Sequence, residues 1–301
     1  WTEKAFASSE GLVFVGACGI AVRAVAPFIA DKFKDPAVVV MDEGGSFAIS
    51  LLSGHVGGGN KLARLAADLT GAVPVITTAT DVNGKFAVDV FAKENGLSIS
   101  ERELAKEASA RILAGERLPF YSVLPLSGGA PGELEVFSEL SAFLKRPGLK
   151  IAVSEKRLEG EKILYLIPRL VTLGTGCRRG ISPAAFKEQI TECLKEAGIF
   201  KEALEALATI ELKKDEEAIR SLEKEWGLGL KLYTVEQLKA VPGAFTASAF
   251  VEKTVGVDSV CERAAAAEGR RLILRKQAKN GVTAAAAVRE YPIAFEKESS
   301  H

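Results

Sequence analysis

Leu170-Val-Thr-Leu173-Gly174-Thr-Gly176-Cys177-Arg178-Arg179-Gly180-Ile-Ser182-Pro183-Ala-Ala-Phe186-Lys-Glu-Gln-Ile190-Thr-Glu-Cys193-Leu194-Lys-Glu-Ala197-Gly198 spells out one strand–turn–helix unit. Residues 170–173 make an apolar strand, and the glycine-rich run 174–180 turns the chain. Ser182 is a natural N-cap, with Pro183 at the first helical position. Phe186, Ile190, Cys193, Leu194 and Ala197 recur on one helical face, and Gly198 stops the helix. The alternation continues downstream. A strand at 207–210 is followed by a helix opened by Asp215-Glu216-Glu217, with Ile219, Leu222 and Trp226 facing inward. Then come a strand at 230–233, a helix at 258–268 and strands at 272–274 and 282–288.

The N-terminal third repeats this pattern. Apolar strands at 11–15 and 37–41, a short strand at 47–51 and a strand at 73–77 alternate with helices. One helix covers 20–28, weakened by Pro27. Another carries Leu62, Leu65, Ala66 and Leu69 and is stopped by Gly71. Continuous apolar strands separated by helices predict a parallel sheet covered on both faces, with ligands beyond the carboxyl ends of the strands. The turns at 16–19, 42–45, 54–60 and 77–83 are then expected on one rim. Between the two regions lie a helix at 89–95, an amphipathic helix at 101–114, a loop at 127–133, a helix at 133–144 and strands at 151–153 and 163–167. The expected fold class is α/β, with two three-layer α/β/α domains of largely parallel sheets joined by a small middle module. The expected limits are 1–99, 100–168 and 169–292, with a tail at 293–301.

The 301 residues can bury a large core, and 48% hydrophobic with 26% charged residues is ordinary for a soluble globular protein. Lys+Arg and Asp+Glu are equal at 39 each, so no long-range field favours a nucleic acid or an anionic membrane. No apolar run reaches transmembrane length. Trp1-Thr2-Glu3-Lys4 has neither a starting Met nor a signal-peptide profile, and the chain is read as starting inside a longer product. Cys18, Cys177, Cys193 and Cys261 are scattered without a C-x-x-C pair, which argues against a zinc site or a disulfide framework and for the cytosol.

Two segments carry chemistry. In Ser50-Leu-Leu-Ser53-Gly54-His55-Val-Gly57-Gly58-Gly59-Asn60 the only internal histidine sits in a glycine turn that feeds a helix N-terminus. Free N–H groups and the helix dipole attract anions there, and imidazole moves protons near neutral pH. A geometric turn with a packing histidine is the plainer alternative. Asp42 and Glu43, just past a strand end, are candidate bases or orienters of His55, or solvated turn acids. Thr78 and Asp81 can bind a ligand or simply favour a turn. In the second segment Gly174, Gly176 and Gly180 let backbone approach a ligand, and Arg178 and Arg179 suit carboxylate or phosphate. The run matches neither the P-loop nor the dinucleotide fingerprint. Cys177 is expected to have a lowered pKa beside the arginines, with no histidine near it in sequence as base. Lys276-Gln277 and Asn280-Gly281 read as a polar clamp or an ordinary hairpin.

These residues together resemble a known family. The runs 11–27, 35–44, 50–60 and 77–83 are similar to the N-terminal and middle parts of the cobalt-precorrin-5A hydrolases of cobalamin biosynthesis. Gly174-Thr-Gly-Cys-Arg-Arg-Gly180, Leu207-Ala-Thr-Ile210, Gly256-Val-Asp-Ser-Val-Cys-Glu262 and Lys276-Gln277 resemble their C-terminal domain. Family members begin with a further strand and helix, which this chain is expected to lack. The resemblance implies a hydrolase of the anaerobic pathway. Its substrate is a contracted cobalt tetrapyrrole whose δ-lactone is opened with release of acetaldehyde. Cobalt travels with the substrate, so neither a cofactor nor a metal site is expected, and other pathway enzymes are candidate partners. From the loop chemistry, His55 is expected to activate water, oriented by Asp42 or Glu43, with N–H groups of Gly57, Gly58 and Gly59 stabilising the oxyanion. Asn60, Thr78, Asp81, Gly174, Gly176, Cys177, Arg178 and Arg179 are expected on the substrate. His55 as an axial ligand of the substrate cobalt is a second possibility, and a non-catalytic carrier of a corrinoid intermediate is the competing function.

Overall fold

Val38, Val39 and Val40 are wholly buried in the run Ala37–Met41, and that burial on both faces sets the layers of the first unit. Val38 packs with Phe6, Leu12 and Val25 on one side. Val39 and Met41 pack with Ala63 and Ala67 on the other, as the twofold alternation of a strand requires. The computed structural model describes residues 1–31, 34–55, 57–78, 84–247, 253 and 256–295.

Among these residues the elements in chain order begin α1 (Thr2–Ser8), β1 (Gly11–Val15), α2 (Cys18–Val25), β2 (Ala37–Met41), β3 (Phe47–Leu52), α3 (Gly59–Thr70), β4 (Val73–Val75), α4 (Val88–Glu94), β5 (Leu97–Ile99) and α5 (Arg102–Leu113). They continue through β6 (Leu118–Ser122), β7 (Leu126–Ser127), β8 (Leu134–Phe137), α6 (Leu140–Leu144), β9 (Lys150–Val153), β10 (Ile163–Pro168), β11 (Val171–Cys177) and α7 (Pro183–Glu196). The last are β12 (Leu204–Ile210), α8 (Glu217–Trp226), β13 (Gly229–Tyr233), α9 (Val235–Ala240), α10 (Val260–Ala266), β14 (Arg271–Lys279), β15 (Val282–Val288) and β16 (Ile293–Ala294). The sheets run β1-β2-β3-β4, β5-β10-β9-β6-β8, β13-β12-β11-β15-β14 and β16-β7. The chain divides into two compact units. The first comprises Trp1–Glu94, Arg102–Leu118 and Pro131–Glu135, and the second Asn95–Glu101, Pro119–Ala130 and Val136–His301.

The α/β class stands, with mostly parallel pairing. In the first unit β1 and β2 are parallel, as are β3 and β4. The join between the pairs departs from expectation. Asp42–Ser46 closes a hairpin, so β3 runs antiparallel to β2, with Met41 opposite Ala48 and Val38 opposite Leu52. The turns expected on one rim therefore divide between two ends of the sheet. Those after β1 and β2 lie at one end, and those after β3 and β4 at the other.

In the second unit β11, β12 and β13 are parallel, and β15 returns antiparallel between β11 and β14. Ser182 caps α7 by accepting the Ala185 N–H at 3.3 Å, and Phe186, Ile190 and Leu194 are buried as the stripe predicts. Two readings are corrected. Residues 174–177 are not a turn, because β11 continues through Cys177. The expected helix at 133–144 starts as β8 and becomes helical only at Leu140. Pro131–Leu134 closes a turn, with the Leu134 N–H donating to the Pro131 carbonyl at 3.0 Å, and Val136 and Phe137 favour a strand. Ile293 and Ala294 pair with β7.

Candidate active site

The loop after β3 is shaped by its glycines. A Cβ on Gly57 would lie 2.1 Å from the Cβ of Ser53, and one on Gly59 would lie 2.7 Å from the Leu52 carbonyl oxygen. Gly58 takes a left-handed φ of 88° as the N-cap of α3, which only glycine adopts without cost. The chain folds tightly back on itself in the loop that carries His55. Its Nδ1 lies 3.1 Å from Oδ1 of Asp89 in the first turn of α4. Both side chains are largely buried, at 19% and 15% exposure. A carboxylate on Nδ1 fixes the tautomer that leaves Nε2 as the working nitrogen.

Asp42 and Glu43 do not orient His55. The reversal of β3 puts them at the opposite end of β2, about 16 Å away for a strand of this length. Asp42 instead accepts the Phe47 N–H at 2.7 Å. That bond, foremost, holds its pKa below the ordinary value. Asp89 was missed because it lies 34 residues beyond His55, at the start of a helix with no motif of its own. One turn along α4, the Lys93 ammonium stands 4.0 Å from where a Gly58 Cβ would be.

The other loop residues hold one another. Gly58 donates to the His55 carbonyl at 3.1 Å, Gly59 to that of Ser53 at 3.0 Å and Asn60 to that of Gly54 at 2.7 Å. The expectation of an oxyanion hole from the amides of Gly57, Gly58 and Gly59 is thereby corrected at Gly58 and Gly59, whose donors are spent inside the loop. Asn60 is buried, and its Nδ2 donates to Thr78 Oγ1 at 2.8 Å. This bond ties the turn after β4 to the loop after β3 at the same end of the sheet. Asp81 lies outside the described residues. The Ser50 and Ser53 hydroxyls are buried here with no hydrogen-bond partner among the described residues. Such a cost is tolerated mainly where a site needs the groups.

The second unit treats its glycines differently. A Cβ on Gly174 would fall 1.9 Å from the Cys261 carbonyl oxygen and 2.8 Å from the Ala265 nitrogen. Gly174 is therefore the contact that lets α10 lie on the sheet, beside the small faces of Ala285 and Ala287. A Cβ on Gly176 would crowd Thr283 Oγ1 at 2.7 Å. The tight turn begins only at Arg178, whose N–H donates to Gly281 at 2.8 Å. The turn meets an anion from its own chain: Gly180 donates to Glu216 Oε1 at 3.2 Å, and Lys213 holds the other oxygen at 2.7 Å. The Lys213 bond, first of all, keeps Glu216 below its ordinary pKa. Arg178 and Arg179 are exposed, with no side-chain hydrogen bond or ion pair among the described residues. Cys177 goes against expectation. Burial pushes its thiol up, and Lys213 offsets this only partly.

The description "Cobalamin synthesis G N-terminal" matches residues 1–81. "Cobalamin biosynthesis central region" matches residues 86–168, and "Cobalamin synthesis G C-terminus" residues 171–287. The cobalt-precorrin-5A hydrolase of Salmonella typhimurium is 37% identical over 274 residues, which span 87% of this chain and 77% of that protein. The chain belongs to the cobalamin synthesis G family. Another relative, the cobalt-precorrin-5A hydrolase of Priestia megaterium, is 34% identical over 253 residues, 78% of this chain and 67% of its own length. No helix among the described residues is long and apolar enough to cross a membrane. No cluster of three His, Cys, Asp or Glu residues there could hold a metal ion.

Proposed function

We propose that this chain is a cobalt-precorrin-5A hydrolase that works in the cytoplasm and needs no cofactor of its own, its cobalt arriving with the substrate. Membership of the cobalamin synthesis G family carries the reading, and the His55–Asp89 pair supplies the chemistry. Water attacks the lactone carbonyl carbon while His55 Nε2 takes its proton. Asp89 stabilises the imidazolium through Nδ1–H. The ring C–O bond breaks, and His55 returns the proton to the departing oxygen. That new hydroxyl then gives its proton back to His55 as its carbon–carbon bond to the macrocycle breaks. The bonding pair passes into the electron-poor ring, and acetaldehyde leaves. The acetate and propionate groups of such a substrate are ligands for exposed cations such as Arg178 and Arg179.

Anaerobic incubation with cobalt-precorrin-5A tests this. Acetaldehyde, together with a corrinoid product lighter by the matching mass, is expected. Tight binding of the substrate without acetaldehyde would point to a carrier instead and overturn the proposal.

A further inference from the structure

Glu262 on α10 is completely buried and takes no part in the chemistry above. Its carboxylate accepts the Lys276 backbone N–H at 2.9 Å, the Thr246 hydroxyl at 3.0 Å and the Thr246 backbone N–H. Burial pushes its pKa up, but these bonds outweigh burial and leave it below the ordinary value. Lys276 sits where β14 is irregular. Leu274 pairs with Ala286 but Gln277 with Ala284, so β14 spends three steps where β15 spends two. This is a β-bulge at Arg275–Lys276. A bulge frees a backbone group from the ladder and re-aims the side chains around it. Glu262 satisfies the freed N–H.

The same carboxylate anchors residues 241–247, a stretch without helix or strand. Arg263 donates to Val241 at 2.9 Å and lies over the Phe245 ring at 4.6 Å, and Arg275 donates to Ala244 at 2.6 Å. Several cations nearby are answered by a carboxylate: Lys231 by Glu268, Lys279 by Glu192, Arg263 by Asp258 and Arg270 by Glu205, while Arg275 stands 4.0 Å from Glu262 itself. Lys276 is different. It is half-buried, and among the described residues its ammonium has no hydrogen bond or ion pair. It is close enough to Cys261 for its charge to act on that thiol.

We propose that Lys276 is a carboxylate-binding residue of the second unit, and that Glu262 is the positioning residue that aims it by pinning the bulge. The inference rests on the reading of the substrate as a tetrapyrrole polycarboxylate. Two measurements on the full chain test it. One is titration with a cobalt porphyrin octacarboxylate, followed by macrocycle absorbance. The other is KM and kcat with cobalt-precorrin-5A. Lys276→Met should weaken Kd and raise KM by about tenfold, with kcat within about twofold, as expected for one charged hydrogen bond. Lys276→Arg should regain most of the loss. Glu262→Gln should behave like Lys276→Met although the lysine is still present. Equal Kd and KM for the wild type and Lys276→Met would overturn the inference while acetaldehyde release stays intact. A Lys276-dependent Kd in a wild type that releases no acetaldehyde would keep the site and overturn the proposed function.

Discussion

At Gly57 an added Cβ would strike the Ser53 side-chain carbon at 2.1 Å, and at Gly174 it would strike the Cys261 carbonyl at 1.9 Å. The collisions are nearly equal, but what they protect differs. The first lies inside one loop, between residues four apart, and fixes where His55 points. The second lies between a strand and a helix 87 residues further on, and fixes how the core of the second unit closes. Glycine in a strand-to-helix motif thus signals close approach, without saying whether the approaching group is a catalytic loop or a packed helix.

Removing the imidazole tests that division most severely. His55→Ala should lower kcat by about a thousandfold, the scale of lost general acid–base catalysis, with the melting temperature nearly unchanged. A variant that retains wild-type acetaldehyde release would end the catalytic reading of the loop. Next in size is a paired glycine experiment. Gly174→Ala drives a methyl group into helix backbone and should destabilise the second unit by about 3 kcal/mol. For a unit of this size that is roughly 8 °C in Tm. Gly57→Ala should cost mostly kcat, because the strain falls on the His55 loop. If both variants lose stability and neither loses turnover selectively, the two glycine motifs share one structural role.

Asp89→Asn comes next, with kcat expected to fall about a hundredfold, the low end of lost general acid–base catalysis, because a wrong tautomer becomes available to His55. Asp42→Asn is the control. Equal losses in both variants would contradict the placement of Asp42 at the far end of the sheet. A smaller effect separates the units by pH. Glu262 has its pKa lowered on folding from the ordinary 4.5. Its stabilisation is therefore fully present above about pH 4.5 and is lost as pH falls through the folded value. Urea midpoints of the wild type and Glu262→Gln should differ most at neutral pH and converge as pH falls through the folded value. A constant gap would show that Glu262 acts by packing alone.

Much of this was legible in the chain, for physical reasons. Continuous valines at 38–40 can only be a strand buried on both faces, and Ser182-Pro183 can only open a helix. The hairpin at Asp42–Ser46 was not legible, since a glycine turn between apolar runs serves parallel and antiparallel strands alike. That one reversal of direction moved Asp42 away from His55. Asp89 and Lys276 were hidden differently. Asp89 meets His55 through tertiary folding, with no local period to mark it. Lys276 owes its environment to a bulge and to a carboxylate on another element, and neither leaves a pattern in the strand sequence.

The smallest predicted effect concerns Cys177, which the sequence places beside two arginines, with a lowered pKa expected. The structure reverses the sign. The thiol is half-buried at the end of β11, and burial raises its pKa. Arg178 and Arg179 are exposed, and charge at an exposed site is screened. Cys177→Ser should leave kcat and KM within about twofold, as expected for an uninvolved, nearly isosteric replacement. The native thiol should alkylate slowly at pH 7, because little thiolate is present. Rapid alkylation there, with loss of turnover, would return the second glycine segment to the chemistry and erase the contrast with the His55 loop.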